Sequence, residues 1–108
     1  ATGGRGNDVI DASGLSTLTV DIRGGAGADT ILGSDAADAI LGDSDGGEGG
    51  NDSILAGNGD DIVFADGSEG RSDFVDAGDG NDVIYADPVD GAEGGPDTVL
   101  GGEGDDRI

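Results

Sequence analysis

Cysteine, histidine, lysine, methionine and tryptophan are all absent from the sequence, and three aromatic residues are its whole complement. Without cysteine no disulfide can staple the chain. Without histidine or cysteine, zinc, copper and iron–sulfur sites lose their usual ligands. Positive charge is as scarce. Four arginines stand against 25 Asp and Glu, for a formal charge of −21, which excludes nucleic acid and anionic membranes as partners, since phosphate needs Lys and Arg. No apolar run approaches the roughly 20 residues of a membrane span, and no signal peptide is visible. The chain begins at Ala1 rather than Met, as expected of a processed or excised piece.

What is abundant is glycine, 25 of 108 residues, and acid. That composition alone describes a disordered chain, which buries too little apolar surface to offset its entropy. Disorder, however, requires no register between charges and apolar residues, and here the register is strict. "GGRGNDVID" (3–11), "GGAGADTIL" (24–32), "GSDAADAIL" (33–41), "GEGGNDSIL" (47–55), "AGNGDDIVF" (56–64), "SEGRSDFVD" (68–76), "AGDGNDVIY" (77–85), "AEGGPDTVL" (92–100) and "GGEGDDRI" (101–108) align without a gap. The sixth position is Asp in every unit: Asp8, Asp29, Asp38, Asp52, Asp61, Asp73, Asp82, Asp97 and Asp106. The eighth is always Ile or Val, from Ile10 to Ile108.

These units resemble the Gly-Gly-x-Gly-x-Asp-x-U-x nonapeptide of RTX, or haemolysin-type, calcium-binding repeats. The resemblance implies an all-β fold, a right-handed parallel β-roll (β-solenoid), in which six residues turn and bind calcium and three form a short strand. It makes the nine sixth-position Asp residues the metal ligands and several calcium ions the cofactor.

Spacing adds detail. Pairs nine apart (29 and 38, 52 and 61, 73 and 82, 97 and 106) are separated by longer steps, so a coil takes about 21–24 residues, more than two regular nonapeptides. One edge is expected to carry Asp8, Asp29, Asp52, Asp73 and Asp97, and the opposite edge Asp38, Asp61, Asp82 and Asp106. Every insertion is then expected on the path leading back from the second edge. In the first coil the count of nine from Asp8 reaches Thr17, which brings no charge, so a weak or empty site is expected there, with Leu18 and Val20 closing the coil.

The residue types suit calcium for physical reasons. The ion takes six to eight oxygens at 2.3–2.6 Å in flexible geometry. Glycine lets a turn bend its carbonyls toward one point, and Asp supplies charge just before the strand. Short β-branched segments such as "DVI" and "DIV" suit strands, and stacking them about 4.8 Å apart makes two facing Ile/Val ladders. The same stacking crowds the Asp residues, which favours coupling of calcium binding to folding.

The insertions repeat as well. "DGGEGGND" (45–52), "DGSEGRSD" (66–73) and "DGAEGGPD" (90–97) share Asp-Gly-x-Glu-Gly-x-x-Asp, adding Asp45, Glu48, Asp66, Glu69, Asp90 and Glu93. Asp43, Asp66 and Asp87 fall five residues after a turn Asp. Two readings stand: solvated loops, or enlarged and more strongly charged calcium turns. The fixed spacing favours the second, with the Glu column ahead of Asp43 and Asp87.

No nucleophile is paired with a base, so the chain is not read as an enzyme. Residues 1–108 are read as a single RTX-like calcium-binding β-roll, a fragment or subunit of a larger chain or assembly. Its expected role is a calcium-binding structural module of a secreted bacterial protein, exported by type I secretion and folding on calcium outside the cell or at its surface. The alternative is a self-assembling subunit of a calcium-dependent surface layer, adhesin stalk or fibre, because neither end shows a polar cap and end-to-end stacking would follow.

Overall fold

The computed structural model describes residues 1–43, 49–65, 71–86 and 95–108. Each apolar triplet following a turn Asp forms a short strand, and the chain alternates between two sheets as it winds. The strands are β1 (Thr2–Arg5), β2 (Val9–Asp11), β3 (Asp21–Ala26), β4 (Thr30–Leu32), β5 (Ala39–Asp43), β6 (Ser53–Asn58), β7 (Ile62–Phe64), β8 (Phe74–Asp79), β9 (Val83–Tyr85) and β10 (Thr98–Leu100). One sheet is ordered β1-β3-β5-β7-β9 and the other β10-β8-β6-β4-β2, with all strand pairs parallel. This is a parallel β-solenoid, and no helix occurs among the described residues.

Period-two alternation sends the eighth-position side chains inward and their neighbours outward. Ile10, Ile31, Ile54, Val75 and Val99 stand in one column. Ile22, Ile40, Val63 and Ile84 stand in the facing one. Ile22, Ile31, Ile40, Ile54, Val63 and Val75 are wholly buried, each contributing about 1.5–3 kcal/mol by leaving water. Ala12, Ala56, Ala65 and Ala77, each directly after a core-lining triplet, complete the buried core. The outer faces carry the remaining large apolar groups, including Phe64 stacked on Tyr85 with ring centroids 4.9 Å apart.

The expected edges form. The backbone amide of each turn Asp donates to the Oδ1 of the turn Asp one coil later, at separations of 21, 23, 21 and 24 residues from Asp8 to Asp97. On the second edge the separations are 23, 21 and 24, from Asp38 to Asp106.

The first coil departs from expectation. The residue in register with Asp38 is Val20, not Thr17: the amide of Val20 donates to Asp38 Oδ1 at 2.9 Å across 18 residues. Ile22 pairs with Ile40 and fills the core, while Leu18 is 62% exposed. The extra residues of this coil therefore lie between β2 and β3, on the outward path rather than the return path. Their loop is tied down locally, with the amide and hydroxyl of Ser13 on Asp11 Oδ1 and the amide of Asp35 on the carbonyl of Leu15. Ile22 lies nine residues before Ile31, a signal that counting forward from Asp8 passes over.

Candidate metal centre

Turn shape follows from two glycines. In the units beginning at 3, 24, 56, 77 and 101, the second and fourth positions are Gly at positive φ, from Gly4 at 126° to Gly104 at 137°. A side chain there is strained, and at Gly78 a Cβ would also strike the carbonyl of Gly57 in the coil below. These turns stack in register. The fourth-position amide reaches the third-position carbonyl of the next coil in three places: Gly6 to Ala26 at 2.7 Å, Gly59 to Asp79 at 2.9 Å and Gly80 to Glu103 at 2.9 Å.

Within this frame the turn Asp side chains are buried. Asp29, Asp38, Asp52, Asp61, Asp73 and Asp82 are all 3% exposed or less. Oδ1 accepts the amide described above. Oδ2 of Asp8, Asp29, Asp52, Asp61 and Asp82 is buried and accepts no hydrogen bond. A buried carboxylate oxygen left this way costs several kcal/mol unless a cation meets it. Those of Asp8, Asp29 and Asp52 also border a close backbone approach. A Cβ on Gly3 would lie 2.7 Å from Asp8 Oδ2 and 2.5 Å from the carbonyl of Gly24 in the next coil. Gly24 sits likewise between Asp29 Oδ2 and the Gly42 carbonyl, and Gly42 between Asp52 Oδ2 and the Ala65 carbonyl.

The carboxylates are held in an unfavourable state. Burial, the largest cause, pushes Asp52 up to about 7; the Asp29 amide opposes the shift, and the charges of Asp43, Asp73 and Asp29 add to it. Burial likewise pushes Asp61 to about 7, opposed by the Asp38 amide and reinforced by Asp38, Asp82 and Asp60. Asp29 and Asp82 are raised too, first by burial. Two unit charges one strand spacing apart repel by roughly 3–4 kcal/mol at an effective dielectric near 20, so the ionised edge calls for counter-charge.

The donor set fits a hard divalent cation. It is all oxygen, charged and buried. Among the described residues no three acidic side chains converge on one point, and the backbone carbonyls beside Asp8, Asp29 and Asp52 offer further oxygens. Calcium accepts that mixture of carboxylate and carbonyl.

A second polar ladder escaped sequence reading. The fifth-position side chains Asn7, Asn51, Asp60 and Asn81 accept through Oδ1 the fifth-position amides of the following coil, from Ala28, Ser72, Asn81 and Asp105. The Asn or Asp before five of the nine turn Asp residues (Asn7, Asn51, Asp60, Asn81 and Asp105) was the available signal.

Of the inserted acids, Asp45, Glu48, Asp66, Glu69, Asp87, Asp90 and Glu93 lie outside the described residues. Asp43 lies within them. It takes the place in register of Gly25, is 5% exposed and accepts the Gly50 amide on Oδ1 at 3.1 Å. It thereby spans the base of the first insertion and places a second carboxylate beside Asp52.

Two stacked parallel sheets joined by glycine turns, with a column of turn Asp residues along each edge, define an acidic parallel β-solenoid as the class of protein. A family model described as the RTX calcium-binding nonapeptide repeat (4 copies) matches residues 1–14, 21–46, 47–70, 69–88 and 92–108. The chain belongs to that family, whose β-roll is a structural calcium-binding fold. No curated protein and no solved structure matches it.

Proposed function

We propose that the chain is a calcium-dependent structural module of a secreted bacterial protein, and that it folds as it takes up calcium outside the cell. The observation that carries this is the repeated Oδ2: one buried, unpartnered carboxylate oxygen recurring in register at Asp8, Asp29, Asp52, Asp61 and Asp82. Asp73, Asp97 and Asp106 occupy the same register and belong to the proposed ligand set. Bound calcium supplies the positive charge that offsets repulsion along each edge. The protein's part is to hold Oδ1 on a neighbouring amide, so that Oδ2 is pre-aimed, and to bend carbonyls toward it through the glycine turns.

The net charge of −21 supports the export half of the reading. Self-repulsion keeps a metal-free chain extended, the state a type I secretion channel passes. Asp43 joins Asp52 in an enlarged turn on the first edge, and the acids of the other two insertions are proposed to act alike. The role is structural rather than catalytic. The comparisons lend no support to a self-assembling subunit.

Far-ultraviolet circular dichroism in chelator, followed by titration with calcium, tests the coupling. A coil spectrum that converts cooperatively to β is expected. A complete β spectrum in chelator at neutral pH would refute it.

A further inference from the structure

The turn at residues 33–38 shares the amide-to-Oδ1 ladder of the others and differs from them in what meets its second carboxylate oxygen. Asp38 Oδ1 accepts both the Val20 amide at 2.9 Å and the Ser34 hydroxyl at 2.8 Å. Its Oδ2 accepts the Ser34 amide at 2.6 Å. Both oxygens are therefore satisfied within the chain, unlike those of Asp29, Asp52, Asp61 and Asp82.

The backbone is also different. The second and fourth positions are Ser34 and Ala36, and neither adopts the positive φ of the glycine turns. In the three glycine stacks the fourth-position amide crosses to the next coil. The Ala36 amide instead turns back onto Ser34 Oγ at 3.1 Å. The Ser34 carbonyl, which faces the next turn, is met by the Asn58 amide at 3.4 Å, and Asn58 Nδ2 donates to Asp35 Oδ1 at 2.9 Å. Ser34 itself is 1% exposed. The coil below offers no carboxylate here, because Val20 stands where an Asp would.

We propose that Ser34 takes the place of the cation in this turn. Its amide and hydroxyl supply the donors that a metal ion supplies elsewhere, so the turn is a calcium-independent staple and Asp38 is not a ligand. Ion binding on the second edge then begins one coil later, at the stack of residues 56–61 on 77–82. The chemistry is direct. A buried carboxylate needs either a cation or several strong donors, and three donors at 2.6–2.9 Å meet that need without a metal. The inference rests on reading the glycine turns as calcium sites.

Calcium stoichiometry, measured by calorimetry and by equilibrium dialysis on the whole chain, separates the possibilities. Asp38→Asn is expected to bind as many ions as the wild type, and Asp61→Asn at least one fewer. The double variant Ser34→Gly, Ala36→Gly, which restores the glycine pattern beneath Gly57 and Gly59, is expected to bind one more. Loss of an ion in a folded Asp38→Asn chain overturns the proposal. Should Asp38→Asn fail to give a β spectrum at saturating calcium, the glycine double variant decides: a folded chain with no additional ion overturns it, and one with an additional ion upholds it. A wild-type chain that took up no calcium would instead overturn the calcium reading of all the turns, a result told apart by the wild-type measurement alone.

Discussion

The amide of Asp29 donates to Oδ1 of Asp52 at 2.9 Å, across 23 residues of sequence. This one bond fixes the coil-to-coil register, buries a carboxylate and leaves its other oxygen facing the turn. Stability and metal demand are thus built from the same side chain, and most of the expected behaviour follows from that.

Replacing Asp52 with Asn keeps an Oδ1 acceptor for the Asp29 amide and removes the charge. Repulsion from Asp29, Asp43 and Asp73 falls, and so does the attraction for calcium. In chelator the variant is expected to hold more β structure than the wild type. At the same time its calcium affinity should drop at least tenfold, read by dichroism-monitored titration.

Acidification is expected to substitute in part for calcium. In the metal-free fold Asp52 and Asp61 titrate near 7, against about 4 in an unfolded chain. Below about pH 4 both states hold these protons, and the penalty is absent. As pH rises from about 4 to 7 the unfolded chain ionises first, so the folded state loses relative stability, and above 7 the loss is complete. In chelator, β content should therefore rise as pH falls from 7 toward 4. With calcium present the sign reverses: ligands must ionise, so binding weakens below pH 7 and releases protons, measurable with a pH indicator in weak buffer. Constant β content across that range in chelator would contradict the assignment.

Ile54 sits at the centre of its column and is wholly buried. Ile54→Ala should destabilise the calcium-bound fold by about 2–5 kcal/mol and move the calcium midpoint upward. Val9, 75% exposed on the outer face, should tolerate the same change within about 0.5 kcal/mol. Thermal unfolding at fixed calcium compares the two.

Gly78 and Gly14 give an opposed pair. Gly78→Ala places a Cβ against the Gly57 carbonyl at a φ of +98° and should cost more than about 1 kcal/mol, weakening calcium binding at the stack above it. Gly14→Ala meets nothing within 4 Å and should leave the midpoint unchanged. Equal effects would show that turn geometry does not govern binding.

Much of the architecture was readable because covalent spacing imposes it. The constant nine-residue unit holds each Asp two residues ahead of its inward Ile or Val. The nine-residue steps from Asp29 to Asp38, Asp52 to Asp61 and Asp73 to Asp82 separate the two edges. That leaves Asp29, Asp52 and Asp73 on one edge and Ile31, Ile54 and Val75 in one inward column. The first coil was misread because its extra residues precede Val20 rather than follow it, and only Ile22, counted backward from Ile31, marks the true register. The fifth-position ladder was missed for another reason. Asn7 and Asn81 look like ordinary turn residues until the amide 21 or 24 residues later comes within reach.

By itself the sequence determined the repeat, the two ladders, the excess of acid and the need for counter-charge, since these depend on spacing and composition. It could not distinguish Asp38 from Asp61, which hold the same place in their units. Tertiary structure decided that difference: Ser34 folds back to satisfy both oxygens of Asp38, while Asp61 keeps a buried oxygen with no donor. A hydrogen bond depends on where its partners lie in space, and in a solenoid many of those partners arrive a full coil later.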